Sequence, residues 1–148
     1  MAHNDVFIPA PPEDVFAVLA DATLYAQWVV GAQTIRAADE SWPEPGSQFH
    51  HTVGAGPLTI DDSSEVEEVD PPRLLVLKVR ARPAGVGRVR LTLTPEDGGT
   101  RVVMEESAIS GAADMVPDKL LDVTISPRNQ ASLDRLHDLV LERAGRTS

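Results

Sequence analysis

The chain has 148 residues, 42% of them hydrophobic and 24% charged, with no cysteine and a formal net charge of -10 at pH 7. A domain of this size buries roughly 70% of the surface its unfolded chain exposes, so a disordered or fibrous class is excluded. The charge disfavours phosphate backbones and anionic lipid, the missing cysteine excludes disulfides and thiolate chemistry, and no apolar run approaches the ~20 residues of a membrane span.

No internal repeat or linker divides the sequence, and residues 1–148 are read as a single domain. The opening NDVFIPA reads as a strand, Val6 and Ile8 alternating against Asp5 and Phe7. Pro11 and Pro12 then suit a first helical turn, where a missing N–H costs nothing. Glu13 and Asp14 favour its positive end, and Val15, Phe16, Val18 and Leu19 form its apolar face. Asp21 is the expected N-cap of a second short helix, ATLYAQWVV, in which Leu24 and Trp28 stand one turn apart. From residue 31 to 109 the period changes to two, with strands expected at AQTIRAA, SQFHHTV, LTIDDSSEVEEV, RLLVLKVRA, GRVRLTLT and TRVVMEESAI. The pieces between them, such as WPEPG, DPPR and PEDGG, are turns, so neighbours pair antiparallel as a meander.

GAADMVPDKLLDVTISP reads as a connection with a helical turn at DKLL. The last helix is expected over 128–144, capped by Ser126, opened by Pro127 and closed by Gly145, with Leu133, Leu136, Val140 and Ala144 on one stripe. At 1.5 Å per residue it spans roughly 25 Å, about the length of a seven-residue strand, and it must lie against a sheet. The expected class is α+β: a helix-grip of about seven curved antiparallel strands around a long C-terminal helix, with two short helices after the first strand.

This order of elements, with PPEDVFAVLAD and Trp28, WPEPGSQFHHTVG, DDSSEV, VVMEES with Gly111, and RNQASLDRL, resembles the START-like or birch-pollen-allergen-like superfamily (SRPBCC). Within it, the resemblance is to the branch of polyketide cyclases/dehydrases and lipid transport. The resemblance runs through nearly the whole chain. It implies a hydrophobic ligand held between sheet and terminal helix, in proteins of which some catalyse cyclisation or dehydration and others only bind.

Strand parity sorts the side chains. If Asp70 meets Arg73 across the Pro-Pro turn, Val66 meets Leu77 and Glu65 meets Lys78, and Ile60, Asp62, Ser64 and Val66 point inward with Leu75, Leu77 and Val79. A bulge returning Asp62 to solvent is the alternative. Val102, Met104, Glu106 and Ala108 share the inner face of their strand, making Glu106 a buried or cavity acid, or else an acid near a solvated rim or paired with an arginine. His51 points inward with Phe49, and His50 away, so the two histidines cannot jointly hold one metal. Asn129 lies in the apolar stripe and His137 beside it; Asn129 either meets a ligand or caps backbone groups. Trp28, Tyr25, Trp42 and Phe49 either line a mouth or fill core. Lys78, Arg80, Arg82, Arg88 and Arg90 share the outer face, and Asp61, Glu65, Glu67 and Glu105 stand near enough to pair with them.

The leading functional expectation is binding of a small hydrophobic or aromatic ligand, with Trp28, Phe49, His51, Leu77, Met104, Asn129, Leu133, Leu136 and Val140 as ligand-binding residues. The alternative is a cyclase/dehydrase-like enzyme using Glu106 or Asp62 as general acid/base. A third is an interaction module resembling activators of the heat-shock ATPase, presenting the arginine-rich hairpin to an acidic partner. No cofactor, metal, nucleic acid or membrane insertion is expected, and a homodimer is a further candidate partnership. The start MAHNDVFI has no basic-then-apolar signal pattern, which makes the cytoplasm the expected location.

Overall fold

The computed structural model describes residues 2–29, 32–55, 58–81, 85–110 and 118–147, with side chains described over 2–29, 38–50, 63–80, 86–109 and 126–145. Seven strands form one antiparallel sheet in the order β1-β7-β6-β5-β4-β3-β2: β1 (Ala2–Ile8), β2 (Ala32–Ala38), β3 (Gln48–Ala55), β4 (Leu58–Asp70), β5 (Leu74–Ala81), β6 (Gly85–Glu96) and β7 (Gly99–Ser110). From β2 to β7 every strand pairs with its neighbour in sequence, and β1 closes the series by pairing with β7. Only the excursion through the short helices separates β1 from β2.

Pro12 opens the first of these, α1 (Pro12–Leu19), with Glu13 and Asp14 in its first turn and Val15, Phe16, Val18 and Leu19 buried. Asp21 then caps a 3-10 turn over Ala22–Leu24, accepting from the Thr23 N–H at 2.9 Å, and α2 (Tyr25–Trp28) follows directly. The expected second helix is therefore a 3-10 turn joined to one α turn.

The long helix α3 runs over Asp118–Thr147, about ten residues earlier than expected, and Pro127 lies inside it instead of in its first turn. An interior proline removes one N–H donor and ordinarily costs about 3 kcal/mol, which is why the sequence reads as a start there. At that point β1 grips the helix: Asn4 Nδ2 donates to the Ser126 carbonyl at 3.0 Å and Oγ at 3.1 Å, and to Gln130 Oε1 at 3.2 Å. Gln130 Nε2 donates in turn to the Asp5 carbonyl at 3.2 Å. Ser126 is thus a partner of β1, not the cap. Gly145 is also helical and has no left-handed φ, so it does not close the helix.

Leu133, Leu136 and Val140 are fully buried against the inner sheet face, where Leu75, Leu77, Val89, Leu91, Leu93, Val102 and Met104 supply the floor. α3 approaches the sheet most closely along β1 and also meets α1 and α2. The predicted pairings Val66 with Leu77 and Glu65 with Lys78 are both present, by an unexpected route. Asp70 pairs with Leu74, not Arg73, and a bulge between Val66 and Glu68 absorbs the one-residue offset. No register shift is present in the β3–β4 pairing from Gln48↔Glu65 to Ala55↔Leu58, which includes Asp62.

Candidate functional site

On β7, alternate residues Val102 and Met104 are buried, and the next residue of that face is Glu106, whose side chain is 14% exposed. α3 delivers Asn129, buried one turn before Leu133, and its Nδ2 donates to Glu106 Oε2 at 2.8 Å. Arg128 Nη2 stands 3.6 Å from the same oxygen, on a side chain 52% exposed. Both partners thus crowd Oε2, and Oε1 has no partner among the described residues. The sequence left open whether Glu106 was a buried or cavity acid, lay near a solvated rim, or was paired with an arginine. The structure gives a largely buried carboxylate with one oxygen paired and one not.

Opposite this carboxylate, α2 places Tyr25 and β4 places Ser64, both buried. The two hydroxyls share a hydrogen bond. Burial pushes the Tyr25 phenol up to about 12; the Ser64 hydrogen bond works against that rise, the negative charge of Glu106 adds to it, and Arg128 opposes it. The phenol is therefore neutral at ordinary pH and keeps its proton. Together with the Glu106 carboxylate, whose Oε1 has no partner among the described residues, it places a phenol and an acceptor on the inner face.

Tyr25 also begins an aromatic wall. Its ring meets Trp28 edge-on at 5.7 Å between centroids and Phe49 at 4.5 Å, and Phe49 meets Trp42 at 4.5 Å with the rings perpendicular. Trp42 follows β2 in the turn that leads into β3, so the wall is assembled from α2, a turn and a strand. The indole Nε1 atoms of Trp28 and Trp42 are both buried and have no hydrogen-bond partner among the described residues. Such a donor costs about 1–3 kcal/mol where it stays unmatched.

Of the residues singled out from sequence, Trp28, Phe49, Leu77, Met104, Leu133, Leu136 and Val140 lie in one buried cluster. Asn129 is brought directly onto Glu106. His51 and Asp62 stand opposite each other in the β3–β4 register, and their side chains lie outside the described residues. His137 faces Asp138, with Nδ1 2.9 Å from its carboxylate, away from this cluster. Tyr25 and Ser64 were each singled out from sequence, though not as a pair, and Arg128 was not singled out. Ser64 carried a signal, being polar at inward parity, but nothing in the sequence named a partner on α2. Among the described residues, no group of His, Asp or Glu could hold a metal ion, and no helix is long and apolar enough to cross a membrane.

Residues 2–140 match the family model described as polyketide cyclase / dehydrase and lipid transport. The chain belongs to this family. Among solved structures, the polyketide cyclase/dehydrase and lipid-transport chain is similar to protein NE0264 from Nitrosomonas europaea, with a TM-score of 0.76 and 18% identity over 97% of this chain and 95% of that one. It is similar to Ara h 8.0201 with a TM-score of 0.73 and 17% identity, over 95% of this chain and 96% of that one. The di-domain ARO/CYC StfQ from the steffimycin biosynthetic pathway matches at a TM-score of 0.74 and 15% identity, over 97% of this chain and 51% of that one. At these identities the likeness is one of fold. No curated protein matches this family member.

Proposed function

We propose that this protein binds a small hydrophobic, ring-bearing molecule between the inner sheet face and α3, against the wall formed by Tyr25, Trp28, Trp42 and Phe49. The observation that carries the reading is the pair of buried indole N–H groups without acceptors among the described residues. Buried donors in folded domains nearly always have partners, and two such exceptions in one aromatic wall suit an acceptor brought by a ligand. The apolar floor supplies burial, and Tyr25, Ser64, Glu106 and Asn129 supply the few polar groups that orient a guest in sites of this kind. Family membership agrees with the reading, since the family's description includes lipid transport alongside cyclase and dehydrase activity.

The test is a thermal-shift screen with fused-ring aromatics that carry carbonyl or hydroxyl groups. A ligand at a hundred times its dissociation constant adds about 2.7 kcal/mol to stability. Trp28→Phe keeps an aromatic ring and removes the N–H together with part of the indole's volume. It should weaken a carbonyl-bearing ligand more than its hydrocarbon parent. A screen without a single stabilising compound, or equal losses for both, would refute the assignment.

A further inference from the structure

We propose that Glu106 sets the charge selectivity of this site, admitting neutral or cationic ring compounds that carry a hydrogen-bond donor and turning away carboxylates. The proposal rests on the ligand-binding reading above and specifies its substrate class. Its basis is the asymmetry at the carboxylate. Asn129 and Arg128 both address Oε2, at 2.8 and 3.6 Å, and Oε1 has no partner among the described residues, so the unmet capacity is that of an acceptor. A hydroxyl or an ammonium can meet it; a second carboxylate brings only another acceptor and a like charge.

Arg128 is the group that could reverse this preference by pairing with an anionic ligand. Exposure decides between the two charges. The Arg128 side chain is 52% exposed and screened by water, whereas that of Glu106 is 14% exposed, so the negative charge is felt more strongly inside. The other end of the wall offers an anion no refuge. The indoles of Trp28 and Trp42 are neutral donors, and burying a carboxylate against them leaves its charge without a counter-ion. The neutral Tyr25 phenol adds a donor but no positive charge.

The experiment compares three probes of one ring system, a naphthol, a naphthalenemethylamine and a naphthalenecarboxylate, by calorimetric titration at fixed salt. In the wild-type protein the carboxylate should bind at least about tenfold more weakly than the naphthol, a difference of about 1.4 kcal/mol. In Glu106→Gln, which keeps an acceptor for Asn129, that ratio should fall to within about threefold. Arg128→Gln, on a solvated side chain where folding is undisturbed, should widen it. Equal binding of naphthol and carboxylate by the wild-type protein overturns the proposal while leaving ligand binding intact. So does a Glu106→Gln variant that keeps the wild-type ratio, because the glutamate would then not set the preference. Failure of all three probes to bind overturns the ligand-binding reading itself and the selectivity with it.

Discussion

Tyr25 is the chain's one tyrosine, so the ultraviolet absorbance of tyrosinate reads this residue alone. Its midpoint in the folded protein should lie near 12, above the ordinary 10.0. Between those values the folded state holds a proton that the unfolded state has lost. The stabilisation from this group is therefore complete below about pH 10 and disappears as pH rises through about 12. Tyr25→Phe removes the ionisable group, and its urea midpoint should decline less steeply across that window than the wild-type midpoint does. An absorbance transition at the ordinary value would mean that the phenol is solvated and not set against Ser64. Glu106 shows the same dependence on surroundings from the other side: its inner-face position was readable from the alternation of Val102, Met104 and Glu106, but its partners on α3 were not.

At the scale of elements, the sheet was largely legible and the terminal helix only in part. Period-two patterning placed all seven strands, because apolar and polar residues alternate along the sequence and short turns allow only neighbour pairing. The bulge between Val66 and Glu68 was not legible, since the same apolar pattern fits the sheet with the offset absorbed anywhere along the strand. The start of α3 was hidden by Pro127, whose local preference is overridden by tertiary contacts from β1. Those contacts predict their own test. Asn4→Ala leaves the groups around Ser126 and Gln130 without their buried donor and should cost about 1–3 kcal/mol in denaturant unfolding, despite the small volume removed. Leu133→Ala, at a fully buried position in the apolar stripe, should cost about 2–5 kcal/mol. If Asn4→Ala proves neutral, β1 does not hold the helix at its proline. Gly99 is a further fixed point, because a Cβ there would collide with the Ile8 carbonyl and come within 2.9 Å of the Phe7 ring, forcing β1 off β7.

The whole molecule divides its charge by face. On the outer side Arg88 donates to both oxygens of Glu67, at 2.9 and 3.1 Å, Lys78 stands opposite both Glu65 and Arg88, and Arg90 stands opposite Glu105. Lys78 and Arg88 face each other directly across β5 and β6, and the acids of the flanking strands β4 and β7 offset that repulsion. Exposed pairs of this kind contribute little to stability, so Glu67→Gln should leave the urea midpoint within error of wild type at physiological salt. A large loss would make the ladder structural. The inner side is built on the opposite plan, with a few polar groups spaced through an apolar surface.

Both tryptophans of the chain, Trp28 and Trp42, belong to the aromatic wall, and the single tyrosine lies between them. All of the protein's tryptophan and tyrosine emission therefore originates at one place. A guest seated there would quench it or shift its colour with no background from distant fluorophores, and energy transfer to a conjugated guest would report residence directly. The molecule carries its own optical probe, and titrations need no label.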